Sequence, residues 1–302
     1  MKVIPKNIYK DVDKLPCGNA DNTITEGCLV LEGGAWKGLY TGGVVDCLMV
    51  NGINFRTTVG ISAGALFGLG YVSGQIGWGP RIDLIYRHDK NYVGTGAMKR
   101  DHGVTGFSYL YKEIMEEYPM DKQRLMDPQR RFLVGATDMR TGMIHYFEKG
   151  NCDLLRAIRA SATVPYVSRP VVIDGVPYLD GGCAEKIPYT WAKENGQKKI
   201  MVVKTREWAY RRKEGAPAMA KLMYRNYPYF VESIAQSGGK FNRMTEELQQ
   251  ESEAGWVFVM APSEEVTVSR FEGDMQKLGD LYWLGYRDME ERLEELRSYL
   301  NN

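Results

Sequence analysis

Apolar residues along this chain fall into short runs separated by glycine-rich stretches, and the runs read alternately as strand and helix. Residues 28–31 form a short apolar strand running into Glu32-Gly33-Gly34-Ala35-Trp36-Lys37-Gly38. Residues 39–50 then read as a helix closed by Asn51-Gly52, a usual C-terminal stop. Residues 55–60, with β-branched Thr57, Thr58 and Val59, predict a second strand; after a turn at Ser62, small and helix-favouring residues predict a helix into Tyr71. Strand, helix, strand, helix in this rhythm predicts parallel pairing in an α/β sheet. Residues 73–106 predict a long, loop-rich excursion over the sheet edge, and 109–118 a helix. Alternating strands at 131–137 and 143–147 flank a turn at Arg140-Thr141-Gly142. A helix over 154–161 stops before Pro165. Short strands at 171–173 and 177–179 enclose Asp174-Gly175 and lead into Asp180-Gly181-Gly182.

Further along, the pattern predicts a helix over 191–195 closed by Gly196, a buried strand over 199–204 and a polar, aromatic helical stretch over 208–250. A last strand follows at 256–261. The chain closes with a charged amphipathic helix over 278–300, with Leu281, Leu284, Leu293, Leu296 and Leu300 on or near one face. The first 25 residues, polar and broken by Pro5 and Pro16, read as a loose arm. With no repeat, low-complexity stretch or linker, the expected organisation is an arm (1–26), a core (27–206) and a helical extension (207–302) packed on the same domain.

Composition narrows the class. At 302 residues, 44% hydrophobic and 25% charged, the chain matches an ordinary soluble globular protein with material for a sizeable core. A formal net charge of +1 argues against a nucleic-acid partner held by bulk electrostatics. Cys17, Cys28, Cys47, Cys152 and Cys183 are odd in number and lack CxxC spacing, which predicts reduced thiols in a cytoplasmic protein rather than disulfides or a zinc site. The N-terminus has no apolar core of a signal peptide, and no run approaches the ~18 apolar residues of a spanning helix, so membrane contact is expected to be peripheral.

Candidate chemistry gathers at one stretch. Gly60-Ile61-Ser62-Ala63-Gly64 is a Gly-x-Ser-x-Gly at a strand end that opens a helix, the setting of a nucleophile elbow. A serine there sits at the positive end of the helix dipole, where developing negative charge is favoured. A plain strand–helix turn is the alternative for the pentapeptide alone. The histidines, His88, His102 and His145, all precede position 146, whereas a Ser-Asp-His hydrolase of this class places its histidine last. That order disfavours a triad. Asp180, at a strand end before two glycines, is the better partner. An aspartate with a reference pKa near ~3.9 is a weak base until burial raises it, which suits esters and their alkoxide leaving groups. Amides of Gly33, Gly34 and Ala35 in the loop before the first helix are candidates for an oxyanion hole. A nucleotide site is rejected: Gly38, not Ser or Thr, follows Lys37, Ala35 stands where the dinucleotide pattern has glycine, and no acidic residue closes the next strand.

In this order, the 32–38 loop, the 60–64 pentapeptide and Asp180-Gly181-Gly182 resemble the patatin-like phospholipases. Their pattern is an acidic or polar residue, Gly-Gly-Gly-x-Arg-Gly, Gly-x-Ser-x-Gly, then Asp-Gly-Gly or Asp-Gly-Ala. Ser161-Ala162-Thr163-Val164-Pro165 is similar to the family's Ser-x-x-x-Pro segment. The likeness runs from about Cys28 through Thr205. The tail, with Ala261-Pro262-Ser263 and Leu281-Tyr282-Trp283-Leu284-Gly285-Tyr286, is similar to a bacterial branch with a C-terminal helical extension. The resemblance implies a three-layer α/β/α sandwich with a mostly parallel central sheet, and hydrolysis of fatty-acyl esters of phospholipids or lysophospholipids. It implies a Ser62–Asp180 dyad and an oxyanion hole from Gly33, Gly34 and Ala35, supported by Lys37, Gly38, Gly60, Gly64, Gly181 and Gly182. No cofactor is expected, and with no acidic loop of metal-ligand spacing, no metal.

Two residues depart from that pattern. Ala35 replaces the third glycine; its N–H survives, and the loop keeps its shape at negative φ but is strained at positive φ. Lys37 replaces the arginine, keeping the charge and losing the planar fork. Two other functions share the fold: a non-catalytic lipid- or protein-binding module, which only Ala35 favours, and an acyltransferase, which differs in the acceptor. Residues 208–230 interleave aromatics and methionines with Arg211, Arg212, Lys213, Lys221 and Arg225, a composition that suits capping an acyl groove and docking it on an anionic membrane.

Overall fold

In a computed structural model of the chain, which describes residues 7–215 and 217–302, the N-terminal stretch is tied down rather than loose. Tyr9, Val12 and Leu15 are buried in the main core, and Arg81 donates to the carbonyls of Val12 and Leu15 at 3.0 and 3.1 Å. Gly18–Asn19 (β1) pairs antiparallel with Gln75 and Ile76. Apolar residues spaced among polar ones were enough to anchor a segment that reads as an arm. Residues 1–6 of that arm lie outside the described residues.

Thr25–Leu31 (β2), Gly38–Val50 (α1), Phe55–Ile61 (β3) and Ala63–Val72 (α2) follow the expected alternation. Gln75–Ile76 (β4) closes the small ribbon with β1. The expected loop-rich excursion instead carries two helices, Trp78–Tyr86 (α3) and Thr95–Asp101 (α4). Trp78, Ile82, Leu84 and Tyr86 of α3 are buried in the core, at every-other or every-fourth positions that mark no helical period in the sequence. Phe107–Tyr109 (α5) passes through a π-helical segment, Leu110–Ile114, into Met115–Glu117 (α6), and Lys122–Leu125 (α7) adds one turn. Arg131–Asp138 (β5) and Ile144–Glu148 (β6) form the expected hairpin. Leu154–Ser161 (α8), Val171–Ile173 (β7), Val176–Asp180 (β8), Tyr189–Glu194 (α9) and Ile200–Val203 (β9) follow.

The stretch expected to be helical over 208–250 is interrupted. Its described residues from 208 to 217 form a loop, with only Ala218–Met223 (α10) and Pro228–Glu253 (α11) helical. Gly215 and Pro217 supply the break, and Ala216 lies outside the described residues. Phe258–Met260 (β10) is the last strand. The closing amphipathic helix is two, Met275–Glu291 (α12) and Leu293–Asn301 (α13). They part at Arg292, whose side chain turns back to the Val259 carbonyl at 2.7 Å and stacks over Phe258.

The central sheet runs β10-β9-β2-β3-β5 in parallel; at one side β6 and β8 pair antiparallel with β5, and β7 pairs antiparallel with β8. Alternate residues of β2 face opposite layers. Leu29 and Leu31 join the core beneath α1, α2 and α12, while Cys28 and Val30 join a second core with Tyr189 of α9 and Phe241 and Leu248 of α11. This is a three-layer α/β/α sandwich with a mixed, mostly parallel sheet. The C-terminal extension contributes both to the sheet, through β10, and to one helical layer, through α12. Helix α12 lies close across α1. A Cβ on Gly43 would fall 2.0 Å from the Tyr282 carbonyl oxygen, and one on Gly285 would fall 2.1 Å from that of Tyr40.

One register detail positions the site. Along one edge of β5, residues 131–135 pair with β3 and residues 136–138 pair with β8. The other edge is taken by β6, so β3 and β8 meet end to end. Gly135 is partnered by Ile61 and the next residue, Ala136, by Asp180. Because β8 runs antiparallel, its C-terminal end abuts the C-terminal end of β3, at the edge where α/β sheets bind ligands.

Candidate active site

Ser62 follows β3 directly and opens α2 with φ 55° and ψ −120°, a strained elbow. Its conformation depends on close approach between backbone segments. A Cβ on Gly60 would lie 2.6 Å from the Gly64 carbonyl oxygen, and one on Gly64 would lie 2.4 Å from that of Leu31. Glycine at both positions is therefore a steric requirement. Ser161 pins the elbow from the side: its Oγ accepts from the Ser62 amide at 2.8 Å and donates to the Gly135 carbonyl at 2.6 Å.

The Ser62 hydroxyl donates to Asp180 Oδ2 at 2.7 Å across 118 residues of sequence. Asp180 Oδ1 accepts from the Gly182 amide at 2.7 Å, and the Asp180 carbonyl accepts from Thr137 Oγ1 at 2.8 Å, so both carboxylate oxygens and the main chain are held. Gly181 passes so near β5 that a Cβ would sit 2.3 Å from the Gly135 carbonyl oxygen. Desolvation raises the Asp180 pKa above the usual carboxylate value, against the lowering effect of the Ser62 and Gly182 hydrogen bonds and of the Lys186 and Arg270 charges. The carboxylate is thereby a stronger base than an exposed aspartate.

The glycine-rich loop lies against this pair: a Cβ on Gly33 would be 3.1 Å from Ser62 Cβ. Glu32 is fully buried and accepts from the Thr205 amide at 2.7 Å, fastening the loop's base to the end of β9. The Gly33 amide, expected as an oxyanion donor, instead donates to the Lys186 carbonyl at 3.1 Å. It is spent on the scaffold. The amides of Gly34 and Ala35 have no acceptor among the described residues. Ala35 stands at φ +50°, in the left-handed region where its Cβ is strained. Gly38 starts α1 and faces Ala63, and Lys37 is buried.

Ser62, Asp180, Gly33, Gly34, Ala35, Lys37 and Gly182 all line one pocket of about 760 Å³. Part of its lining is apolar, from Leu66, Phe67, Val93, Phe107 and Val164. Another part is basic, from Lys37, Lys186, Arg206, Arg212 and Arg270. Burial lowers the Lys37 pKa to about 8, with Arg206, Arg212 and Arg270 acting in the same direction and Glu32 opposing them. None of the three histidines lines the pocket. His145 meets Phe147 edge to face and Tyr178 at a tilt, and His88 bonds to the Gly273 carbonyl. Among the described residues, no group of three or more His, Cys, Asp and Glu side chains is placed to hold a metal ion.

The 208–230 segment divides. Tyr224 and Phe230 are buried, Arg211, Arg212 and Lys213 line the pocket, and Met219, Leu222, Met223 and Tyr229 are exposed. The sequence gives no sign of the pocket positions of Lys186 and Arg270, which lie in no motif, or of the hold that Thr137 has on the Asp180 carbonyl. Ser161 was visible as a motif residue, but its bond to the elbow depends on where α8 packs.

A family model for patatin-like phospholipases matches residues 29–192, more than half of the chain, and a second, described as a domain of unknown function (DUF6363), matches residues 227–301. Over 182 residues the chain is 29% identical to the uncharacterized protein YjjU of Escherichia coli (strain K12), covering 59% of this chain and 51% of that protein. It is 22% identical over 187 residues to the probable lipid hydrolase 463L of Invertebrate iridescent virus 6, covering 57% of this chain and 64% of that one. The chain thus spans between half and two thirds of the length of these relatives. The crystal structure of VipD from Legionella pneumophila aligns with 98% of this chain and 71% of its own at TM-score 0.49 and 12% identity. With its family match running from β2 into α9, the chain belongs to the patatin-like phospholipase family.

Proposed function

We propose that this protein hydrolyses fatty-acyl esters of lipids with Ser62 as nucleophile and Asp180 as its base. The observation that carries the reading is the 2.7 Å hydrogen bond from Ser62 to Asp180 in a pocket of about 760 Å³ with an apolar lining. Ser62 Oγ attacks the ester carbonyl carbon as its proton passes to Asp180 Oδ2. Negative charge on the carbonyl oxygen is met by the amides of Gly34 and Ala35, with Ala63, the residue after the nucleophile, as a further donor. Asp180 returns the proton to the departing alkoxide, leaving an acyl-Ser62 ester. Water then attacks that ester, giving its proton to Asp180, and the fatty acid leaves as the proton returns to Ser62. The Gly182 amide on Oδ1 keeps Oδ2 turned toward the serine throughout.

The division of labour we propose is an N-terminal arm over 1–26, a catalytic core over 27–206 and an extension over 207–302 that completes the pocket. It is supported by the pocket residues on both sides of position 206. For membrane contact we assign Met219, Leu222 and Met223, exposed on α10 beside Lys221, as a peripheral docking face. No helix among the described residues is long and apolar enough to cross a membrane. A fluorophosphonate probe tests the chemistry. It is expected to label the wild type and not Ser62→Ala, and Asp180→Asn is expected to slow hydrolysis of p-nitrophenyl butyrate by about 10²–10⁴. A folded wild type that takes no label is a binding module instead.

A further inference from the structure

The chain as a whole is close to neutral, with 39 Lys and Arg against 38 Asp and Glu, yet its pocket is not. Among the described residues, seven basic ones line it against two acidic ones, Asp83 and Asp180. Five of the seven are Lys37, Lys186, Arg206, Arg212 and Arg270; Arg211 and Lys213 complete the set. Of these, Arg211 alone forms an ion pair among the described residues, 3.8 Å from Glu246. The other six have no carboxylate within ion-pair distance there.

The fold holds these cations together. The Arg212 amide donates to Asn242 Oδ1 at 2.8 Å, Asn242 Nδ2 returns a bond to the Arg212 carbonyl at 3.0 Å, and the Gly215 amide donates to Ala235 at 3.0 Å. The basic loop is thus laid along α11, where Gly238 leaves room: a Cβ there would be 2.2 Å from the Lys213 carbonyl oxygen. Arg206 and Arg212 stack over Tyr210 at 4.3 and 5.6 Å, and Arg212 also over Phe241 at 4.9 Å. The Nε atoms of both arginines are buried with no hydrogen-bond partner among the described residues. Like charges gathered in a partly desolvated cleft repel one another: burial is the main cause of the lowered Lys37 pKa, and Arg206, Arg212 and Arg270 add to it. An anion in the cleft would relieve that repulsion.

We propose that the pocket selects acyl esters whose alcohol side carries a phosphate with no compensating ammonium, held by Arg206, Arg212, Arg270 and Lys37. This rests on the acyl-hydrolase reading above for the ester part of the ligand. Arginine forks match phosphate geometry, and the apolar lining around Leu66, Phe67 and Phe107 takes the acyl chain. A zwitterionic head group brings an ammonium toward the same cations, and a neutral ester leaves them unpaired.

Binding to Ser62→Ala protein, measured by calorimetry, tests selection without turnover. The probes are octanoyl glycerophosphate and octanoyl glycerophosphocholine, both below their critical micelle concentrations, so no lipid surface takes part. The phosphate compound is expected to bind at least about tenfold more tightly, the scale of a charge-assisted contact. Adding Arg270→Gln, at an exposed position, is expected to weaken the phosphate compound roughly fivefold or more with little effect on the phosphocholine one. Arg212→Gln is the second variant, checked for an unchanged melting temperature. Equal affinities for the two probes, or equal weakening of both by both variants, would overturn the inference. The hydrolase reading fails separately, if wild type cleaves neither probe while Ser62→Ala still prefers the phosphate.

Discussion

Ser62 and Ala35 both hold left-handed backbone angles that L-residues avoid, and the surroundings of each explain why it stays there. Ser62 is fixed by Ser161 and by the meeting of β3 and β8 on β5. Ala35 is fixed by the short helical turn it opens, in which the Lys37 amide donates to the Gly34 carbonyl and the Gly38 amide to those of Ala35 and Trp36. The alanine therefore already occupies the shape a glycine would adopt, at a cost of about 1–2 kcal/mol. Ala35→Gly is expected to raise the melting temperature, by the equivalent of about 1 kcal/mol after the greater chain entropy of glycine is set against the relieved strain. Because the loop geometry is already reached, kcat on p-nitrophenyl butyrate should change by less than about threefold, whereas a newly corrected donor would give up to ~10²-fold. Thermal melts and initial rates on the two proteins decide the point. A large rise in kcat would show that the alanine displaces an oxyanion donor.

At the scale of elements, the crossing of α1 and α12 joins the C-terminal extension to the core. It combines a glycine contact with buried hydrogen bonds: Tyr282 donates to Asp46 Oδ2 at 2.9 Å, and Tyr40 donates to Asp288 Oδ2 at 3.0 Å. Asp46 also accepts from the Gly77 amide at 2.8 Å, yet burial outweighs these bonds and the nearby Arg81, pushing its pKa up to about 7. The folded pKa lies above the unfolded one, so the folded state binds the extra proton. Its contribution is fully present below about pH 4 and is lost as pH rises to about 7. Asp46→Asn keeps the shape without the titration. Its stability relative to wild type is expected to improve between pH 5 and pH 8, by a ceiling of about 3 kcal/mol. Urea unfolding of both proteins across that range measures it, and parallel pH curves would show that Asp46 is ionised at both ends. Asp83, raised to about 6, leaves a residual slope in both proteins.

At the scale of the whole molecule, the fold separates two features that the sequence runs together: the apolar residues of α10 are exposed, while Arg211, Arg212 and Lys213 line the pocket. Leu222 is 71% exposed and Met219 57%, a face that a lipid surface would cover. Leu222→Ser with Met223→Ser is expected to reduce sedimentation with anionic liposomes by about tenfold or more in the binding constant, from the loss of apolar burial. Undiminished sedimentation would remove α10 from any docking role. Much of this architecture was legible in the sequence. The strands at 28–31, 55–60, 131–137 and 199–204, the elbow at Ser62, Asp180 and the glycine-rich loop each carry a local signature, because strand alternation, tight turns and close backbone approach restrict which residue types fit. The helices α3 and α4, the anchoring of the N-terminal stretch and the break at Arg292 were not, since burial by partners far along the chain outweighed weak or misleading local pattern. The same limit holds at the site. That Ser62 meets Asp180 could be expected because both sit in motifs, but that Gly33 spends its amide on Lys186, and that Lys186, Arg206, Arg212 and Arg270 share one cleft, depended on how distant loops pack. Local chemistry is written in short spans of residues, while charge in a pocket is the sum over segments that only the folded chain brings together.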